Sequence, residues 1–296
     1  MNYIDVGTAK IAYRIFGSGP IKLVIEGALN SCNAEWWNFT QALGDISTLV
    51  YDRAGYGEST KSSLNRTPIN IVIELEKLLQ KLDISDQIIL LGHSQGGLYS
   101  TLFALRNKKL VKALILLDPL SVIDNKFKND LSVKEFYSSG IDKRSSLKIG
   151  KIITGLHFGF IFKGLLKKAP PFYYSKFEKE AENYILKALM KSKQYETALF
   201  EYEYSHIEDE LKQIEGEINS PIYLIRHNSK KMIEEIMYFG NCNRELAEKI
   251  ENTWIEIMRE MKKFSKINME LVANNSSHYI HLSDQQFVIE KIRELI

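Results

Sequence analysis

The chain has 296 residues, and its charge is nearly balanced, because 39 lysines and arginines face 37 aspartates and glutamates for a formal net charge of +2. This balance excludes a nucleic-acid-binding protein, which needs a dominant basic face to neutralise phosphates. With 45% apolar and 26% charged residues, the composition also excludes a disordered chain. The length allows one large domain or two small ones.

The cysteines and the apolar segments indicate the cellular setting. Cys32 and Cys242 lie far apart and match no metal-binding spacing, so we expect reduced thiols, no bound metal or cofactor and a cytoplasmic protein. Residues 1–14 alternate like a strand and do not resemble a cleavable signal peptide. The longest apolar stretch, Ile149 to Leu166, is interrupted by lysine, glycine and histidine, so we expect no transmembrane segment.

The first 119 residues alternate short apolar runs with amphipathic segments, which is typical of a mostly parallel sheet with helices on both faces. The strands predicted in this part, in chain order, are Tyr3–Val6, Lys10–Phe16, Ile21–Glu26, Ser47–Asp52, Ile88–Leu91 and Ala113–Asp118. The helices predicted between them are Trp36–Leu43, Pro68–Leu82 and Gly96–Arg106. Continuous Ile, Leu and Val runs in the later strands favour central parallel positions.

The pattern changes after Pro119. Residues 120–220 contain helical segments and no strand run of comparable quality. Further strands are predicted at Pro221–Ile225 and Met269–Val272, with helices at Glu245–Lys263 and Asp284–Ile296. We therefore predict an α/β core domain formed by residues 1–119 and 221–296, with residues 120–220 inserted as a helical cap.

The strongest chemical signal is the pentapeptide Gly92–Gly96, which reads Gly-His-Ser-Gln-Gly and joins a buried strand to a helix. In a G-x-S-x-G turn of this kind, the serine adopts a strained backbone and its hydroxyl stands above the sheet, beside a helix N-terminus. The pattern predicts Ser94 as a nucleophile. A chance glycine-rich turn is the alternative.

This turn resembles the nucleophile elbow of the α/β-hydrolase superfamily, whose fold has an eight-stranded, mostly parallel sheet. Two further stretches share the resemblance: residues 51–59 look like a loop-shaping motif of the family, and residues 277–282 look like its ending, which holds the catalytic histidine. The resemblance implies a serine hydrolase without a cofactor. Family members that open epoxides or dehalogenate haloalkanes use aspartate as the nucleophile, so Ser94 argues against those reactions.

A serine nucleophile needs a base. The family order of serine, acid and histidine implies a late histidine, either His278 or His281. We expect His278, because it comes first after the last strand. A metal site built on both histidines is disfavoured, since no nearby ligand completes it.

The acid is harder to assign, because the strand at Pro221–Ile225 is followed by no early carboxylate. The resemblance to branches that carry the acid before the cap implies Asp118, which would orient the second ring nitrogen of His278. Asp124, Glu234 and the absence of any acid are the alternatives.

The family also has an oxyanion hole of two backbone N–H groups. The resemblance implies Gln95 as one donor and Leu29 as the other, with Ala28 as the fallback. The usual His-Gly of this loop is absent, and Glu26 precedes the loop instead. Glu26 either holds the loop through Arg53 or is an ordinary buried carboxylate.

The predicted cap is rich in apolar residues between Ile149 and Phe162, so we expect either an apolar substrate pocket or simple docking of the cap. These observations predict hydrolysis of an ester or related acyl bond in a small molecule. The first alternative is an aminopeptidase resembling proline iminopeptidase, with cap glutamates as ammonium ligands. The candidates are Glu178, Glu180, Glu182, Glu201 and Glu203. The second alternative is a catalytically idle ligand-binding protein. The oligomeric state is left open.

Overall fold

A computed structural model describes residues 1–156, 163–212, 214–240 and 242–296. The strands are β1 Asn2–Asp5, β2 Lys10–Phe16, β3 Ser18–Glu26, β4 Ile46–Tyr51, β5 Ile88–His93, β6 Val111–Leu117, β7 Ile222–His227 and β8 Asn268–Ala273. The helices before β7 are α1 Trp37–Leu43, α2 Pro68–Lys81, α3 Gln95–Arg106, α4 Lys126–Asp130, α5 Val133–Ser138, α6 Arg144–Gly155, α7 Lys163–Leu166, α8 Lys179–Leu189, α9 Ser192–Tyr204 and α10 Glu208–Lys212. Those after β7 are α11 Ser229–Phe239, α12 Arg244–Glu260, α13 Ile280–Ser283 and α14 Gln285–Leu295.

The strands form one sheet in the order β1-β2-β4-β3-β5-β6-β7-β8. The pairs β1–β2 and β2–β4 are antiparallel, and every later pair is parallel. This arrangement confirms the predicted α/β fold with an eight-stranded, mostly parallel sheet. The carboxyl ends of β5, β6 and β7 consequently lie side by side at one edge.

Apolar side chains of the central strands point alternately to the two faces of the sheet. In β6, Leu114 and Leu116 pack with α2 and α3, whereas Ile115 and Leu117 pack with α1 and α14. Both faces of the sheet are therefore covered, which explains why its strands read as continuous apolar runs.

The helical insertion, residues 120–220, lies between β6 and β7. Its described residues form helices and contain no strand. Its helix α9 contacts the loop after β3 through Gln194, whose amide donates to the carbonyl oxygens of Asn30 (3.0 Å) and Ser31 (3.2 Å). Residues 157–162 of the predicted apolar stretch lie outside the described residues. Within the described ranges, no helix combines the length and apolarity that crossing a bilayer requires.

Candidate active site

Ser94 occupies a sharp turn between β5 and α3. Its backbone has φ 53° and ψ −122°, a conformation that is costly for a residue with a side chain. The turn is possible because its neighbours are glycines: a Cβ on Gly92 would lie 2.6 Å from the Gly96 carbonyl oxygen, and a Cβ on Gly96 would lie 2.3 Å from that of Glu26. The geometry is that of a nucleophile elbow.

Asp118 follows β6 and lies beside the turn. Its Oδ2 is 3.2 Å from Nδ1 of His278, and its backbone also has a positive φ of 42°. Burial would raise the pKa of this carboxyl, but the adjacent His227 and His278 hold the pKa well below its usual range. Asp118 is therefore an ionised acceptor for the Nδ1–H of His278.

His281, the alternative base, occupies a different environment. It is fully buried and stacks on Trp36, with 3.8 Å between ring centroids. Neither of its ring nitrogens has a hydrogen-bond partner among the described residues. Burial and the nearby His93 and His278 lower the pKa of His281 well below its usual value, so the ring is neutral and packed in the core.

His93 supports His278 from within the elbow. Its Nε2 lies 3.0 Å from the His278 carbonyl oxygen. Burial, with the adjacent His278, lowers the pKa of His93 to about 3, so the ring is neutral and Nε2 carries the proton that it donates. His93 thereby fixes the backbone that carries the predicted base.

The other two acids considered from the sequence make no hydrogen bond to His278 among the described residues. Asp124 Oδ2 is 3.0 Å from Nε2 of His206. Glu234 is exposed on α11. Of the three carboxylates, Asp118 is the one that the structure brings to His278.

Two residues that the sequence analysis did not single out lie behind Asp118. His227 ends β7 and places Nδ1 2.6 Å from Asp118 Oδ2, while its Nε2 is 2.7 Å from Oε2 of Glu251 on α12. The sequence contains a signal for each residue. Glu251 lies on the apolar stripe of its helix, between Ala247 and Trp254, which indicates a buried carboxylate. His227 ends a strand, and the C-terminal ends of adjacent parallel strands meet at one edge of the sheet, where Asp118 also lies.

The loop after β3, residues 27–32, is held by Arg53. The guanidinium donates to the carbonyl oxygens of Gly27 (2.6 Å) and Ala28 (2.8 Å), and it also contacts Glu26 (2.6 Å). The structure thus shows the Glu26 and Arg53 contact considered from the sequence. The amide of Leu29, the next residue, has no hydrogen-bond acceptor in the described part of the chain and is free to bind one.

A cavity of about 430 Å³ connects these groups, a volume typical of small-molecule sites. The predicted site residues all line it: Leu29, Ser94, Gln95, Asp118 and His278. Its apolar wall comes partly from α11 and α12, which the sequence analysis did not assign to the site: Met232, Ile236, Phe239 and Trp254. Its polar lining includes Asp124, Lys143, His206 and Glu235.

The described part of the apolar stretch does not line this cavity. Ile149, Ile152, Leu156 and Leu165 are exposed to solvent. The predicted ammonium ligands also lie elsewhere: Glu201 is buried against Arg53 and Arg66, and Glu180 pairs with Arg14 on the surface. Across the described ranges, no three metal-ligating side chains are gathered as a metal site.

Comparisons with known proteins find relatives that share the family and the fold. A family model described as alpha/beta hydrolase fold matches residues 23–136. The uncharacterized protein YqjL of Bacillus subtilis (strain 168) is 33% identical over 104 residues, which are 35% of this chain and 41% of YqjL. A proline iminopeptidase of Saccharolobus solfataricus is 30% identical over 118 residues, 38% of this chain and 37% of that protein. The matched segments therefore span less than half the length of these curated relatives.

Solved structures extend the likeness over the whole fold. A mutant of an epoxide hydrolase from Bacillus megaterium superposes with a TM-score of 0.68 and 17% identity, covering 99% of each chain. At this identity the superposition establishes the fold and leaves the reaction to be argued from the site.

Proposed function

Because the chain belongs to the α/β-hydrolase superfamily, we propose that it is a serine hydrolase that cleaves an ester or related acyl bond of a small molecule. The family and the fold support a hydrolase. The observation that carries the finer proposal is the strained turn that presents Ser94 to the same cavity as His278, whose Nδ1 faces Asp118.

The proposed reaction begins with attack of the Ser94 hydroxyl on the substrate carbonyl. His278 accepts the hydroxyl proton at Nε2, while Asp118 holds Nδ1–H and stabilises the imidazolium that forms. The tetrahedral oxyanion is held by the amides of Leu29 and Gln95. His278 then donates its proton to the departing alkoxide, which leaves an acyl-enzyme.

Deacylation repeats these steps with water. His278 removes a proton from a water molecule as the water attacks the acyl carbonyl. When the second tetrahedral intermediate collapses and its bond to Ser94 breaks, His278 returns that proton to the Ser94 oxygen. The products are a carboxylic acid and an alcohol. The apolar wall of Met232, Ile236 and Trp254 favours a substrate with an apolar acyl or alcohol group, and the insertion above it is proposed to act as a lid.

An aminopeptidase is the second candidate, and the similarity to a proline iminopeptidase favours it. Glu201, proposed from the sequence to bind an ammonium group, is engaged by two arginines, so this function would depend on Glu235 in the cavity wall. Comparing an aminoacyl-naphthylamide with a short acyl ester at equal concentration separates the two reactions. Faster cleavage of the amide would favour the aminopeptidase.

A fluorophosphonate probe tests the serine mechanism directly. We expect labelling of Ser94, located by peptide mass spectrometry, and a loss of p-nitrophenyl ester turnover on the order of 10⁶ in Ser94→Ala. Ser100→Ala is the matched control, because Ser100 is a buried serine of α3 whose hydroxyl has no partner among the described residues. Failure of the probe to label Ser94 would support the idle ligand-binding protein instead.

A further inference from the structure

The acid that faces His278 is itself held by a second histidine. His227 is fully buried, and it binds both oxygens of the Asp118 carboxylate: its backbone N–H donates to Oδ1 at 2.8 Å, and its Nδ1 lies 2.6 Å from Oδ2. The same Oδ2 faces Nδ1 of His278 at 3.2 Å. One carboxylate oxygen therefore accepts from two imidazole rings.

Glu251 completes a line of charged groups behind Asp118. Its Oε2 is 2.7 Å from Nε2 of His227, and its other oxygen has no hydrogen-bond partner in the described part of the chain. The carboxylate is almost fully buried. His227 is thus the group that balances the negative charge of the Glu251 carboxylate within this packed region.

The two carboxylates favour a doubly protonated His227. Each ring nitrogen faces a carboxylate oxygen, and each contact needs a proton from the ring when the carboxylate is ionised. Burial by itself would lower the pKa of His227, but Asp118 and Glu251 raise it to about 10. Two further described residues contact His227: the Trp254 ring packs nearly perpendicular to the imidazole, with 5.7 Å between centroids, and Arg226 donates to the His227 carbonyl oxygen.

A purely structural purpose explains this arrangement poorly. A buried ion pair rarely stabilises a fold more than apolar residues of similar volume would. His227 also binds Oδ2 of Asp118, the same oxygen that accepts from His278. It therefore fixes the rotation of the Asp118 carboxylate from the side opposite His278.

We propose that His227 and Glu251 are positioning residues for the hydrolysis: His227 orients Asp118 toward His278, and Glu251 keeps His227 in its imidazolium form. This inference rests on the proposed function, since orientation of the acid matters to catalysis only if Ser94 and His278 react. It also predicts an effect on His278 that is measurable without turnover.

The decisive variant replaces both charged side chains by apolar ones, His227→Leu with Glu251→Leu, because such replacements of buried ion pairs often preserve folding. We expect kcat for a p-nitrophenyl ester to fall about 10- to 100-fold with KM nearly unchanged, the range found when the hydrogen-bond partners of metal-ligating side chains are removed. The control is Arg106→Leu with Glu76→Leu. This pair joins α3 to α2 at 2.8 Å and contacts neither His227 nor Asp118.

Histidine ¹⁵N NMR provides the second measurement. We expect one buried ring with both nitrogens protonated up to about pH 9, and an Nδ1–H resonance of His278 that shifts in the double variant but not in the control. The conservative variant Glu251→Gln should lower the pH at which the buried ring titrates. If the folded double variant keeps both the kcat and the His278 resonance of the wild type, the proposed positioning role is wrong, and His227 and Glu251 have a structural role only.

The two measurements also separate this inference from the proposed function. If the wild-type protein neither reacts with the fluorophosphonate nor cleaves esters, the serine mechanism fails. The NMR comparison still decides whether His227 and Glu251 orient Asp118, because it needs no substrate.

Discussion

Arg53, which follows β4, and Glu201 of α9 form a buried ion pair, with 2.9 Å between Nη2 and Oε2. Glu201 also accepts from Arg66 (3.0 Å) and from the Tyr56 hydroxyl (2.7 Å). The Arg53 guanidinium also binds the loop after β3. The position of α9 against the sheet and the position of the Leu29 amide therefore both depend on Arg53.

Removal of Glu201 is expected to destabilise the fold strongly. Glu201→Ala leaves Arg53 and Arg66 without their shared carboxylate, and breaking a buried pair in this way costs about 3–5 kcal/mol. Urea denaturation measures the loss. Glu203→Ala, two positions along the same helix and exposed, should change the free energy of unfolding by less than about 0.5 kcal/mol. Equal effects of the two variants would contradict a structural role for the network.

Arg53→Lys tests whether this cation also serves catalysis. A lysine keeps the charge, but one ammonium cannot reproduce the forked contacts to Gly27 and Ala28. Misplacement of the Leu29 amide should lower kcat for ester hydrolysis about 10- to 100-fold, with a smaller change in KM. Arg66→Lys is the control, since Arg66 binds Glu201 and Glu74 but not the loop. Similar kcat values for both variants would argue against the link to the oxyanion loop.

Asp118→Asn should reduce turnover by about four orders of magnitude, because an amide at this position can favour the wrong tautomer of His278. The comparison is Asp124→Asn, which alters an aspartate that binds His206, and we expect a far smaller loss from it. Steady-state kinetics on the same ester measures both. A near-normal rate for Asp118→Asn would remove Asp118 from the mechanism.

The sheet and the elbow could be predicted because their signals are local. A buried parallel strand such as β5 is a continuous apolar run, and the glycines around Ser94 are required by backbone atoms only a few residues or one strand away. The contacts of Asp118 are different in kind. The register between β6 and β7 places His227 beside Asp118. The helix that carries Glu251, α12, begins 17 residues after β7 ends.

The same reasoning explains the position of Glu201, which the sequence analysis considered as an ammonium ligand. The local sequence of α9 is equally typical of a solvated helix face. The fold brings Arg53 and Arg66, which are more than 130 positions away in the chain, into contact with Glu201. The cavity wall formed by Met232, Ile236 and Trp254 is equally invisible, because α11 and α12 follow β7 rather than belonging to the insertion.

Gly96→Ala should damage both stability and catalysis. The added Cβ would lie 2.3 Å from the Glu26 carbonyl oxygen and 2.5 Å from that of Gly27, and backbone atoms cannot move away cheaply. We expect a loss of about 1–3 kcal/mol or more in the free energy of unfolding, with reduced kcat because the loop after β3 shifts. Gly164→Ala is the control, since nothing lies within 4 Å of its added Cβ. A Gly96→Ala protein as stable and active as this control would show that the close approach is not required.

The pH dependence of stability reports the charge state of His227. Its pKa is about 10 in the folded protein, where Asp118 and Glu251 outweigh the effect of burial, against about 6.5 in an unfolded chain. Between these values the folded state keeps a proton that the unfolded state releases. The contribution is therefore complete below about pH 6.5 and is lost as the pH rises through 10, with a slope of up to about 1.4 kcal/mol per pH unit.

Urea denaturation from pH 6 to pH 10 checks this prediction. Burial raises the pKa of Glu35 to about 8, so that group titrates in the same range and also lowers stability as the pH rises. Its effect is common to the wild type and to His227→Leu with Glu251→Leu, so the difference between the two proteins leaves the titration of the replaced pair and of the groups that contact it, of which His227 is the one with the raised pKa. We expect this difference to change steadily with pH in favour of the variant. A difference that stays constant would mean that His227 carries no extra proton in the folded state.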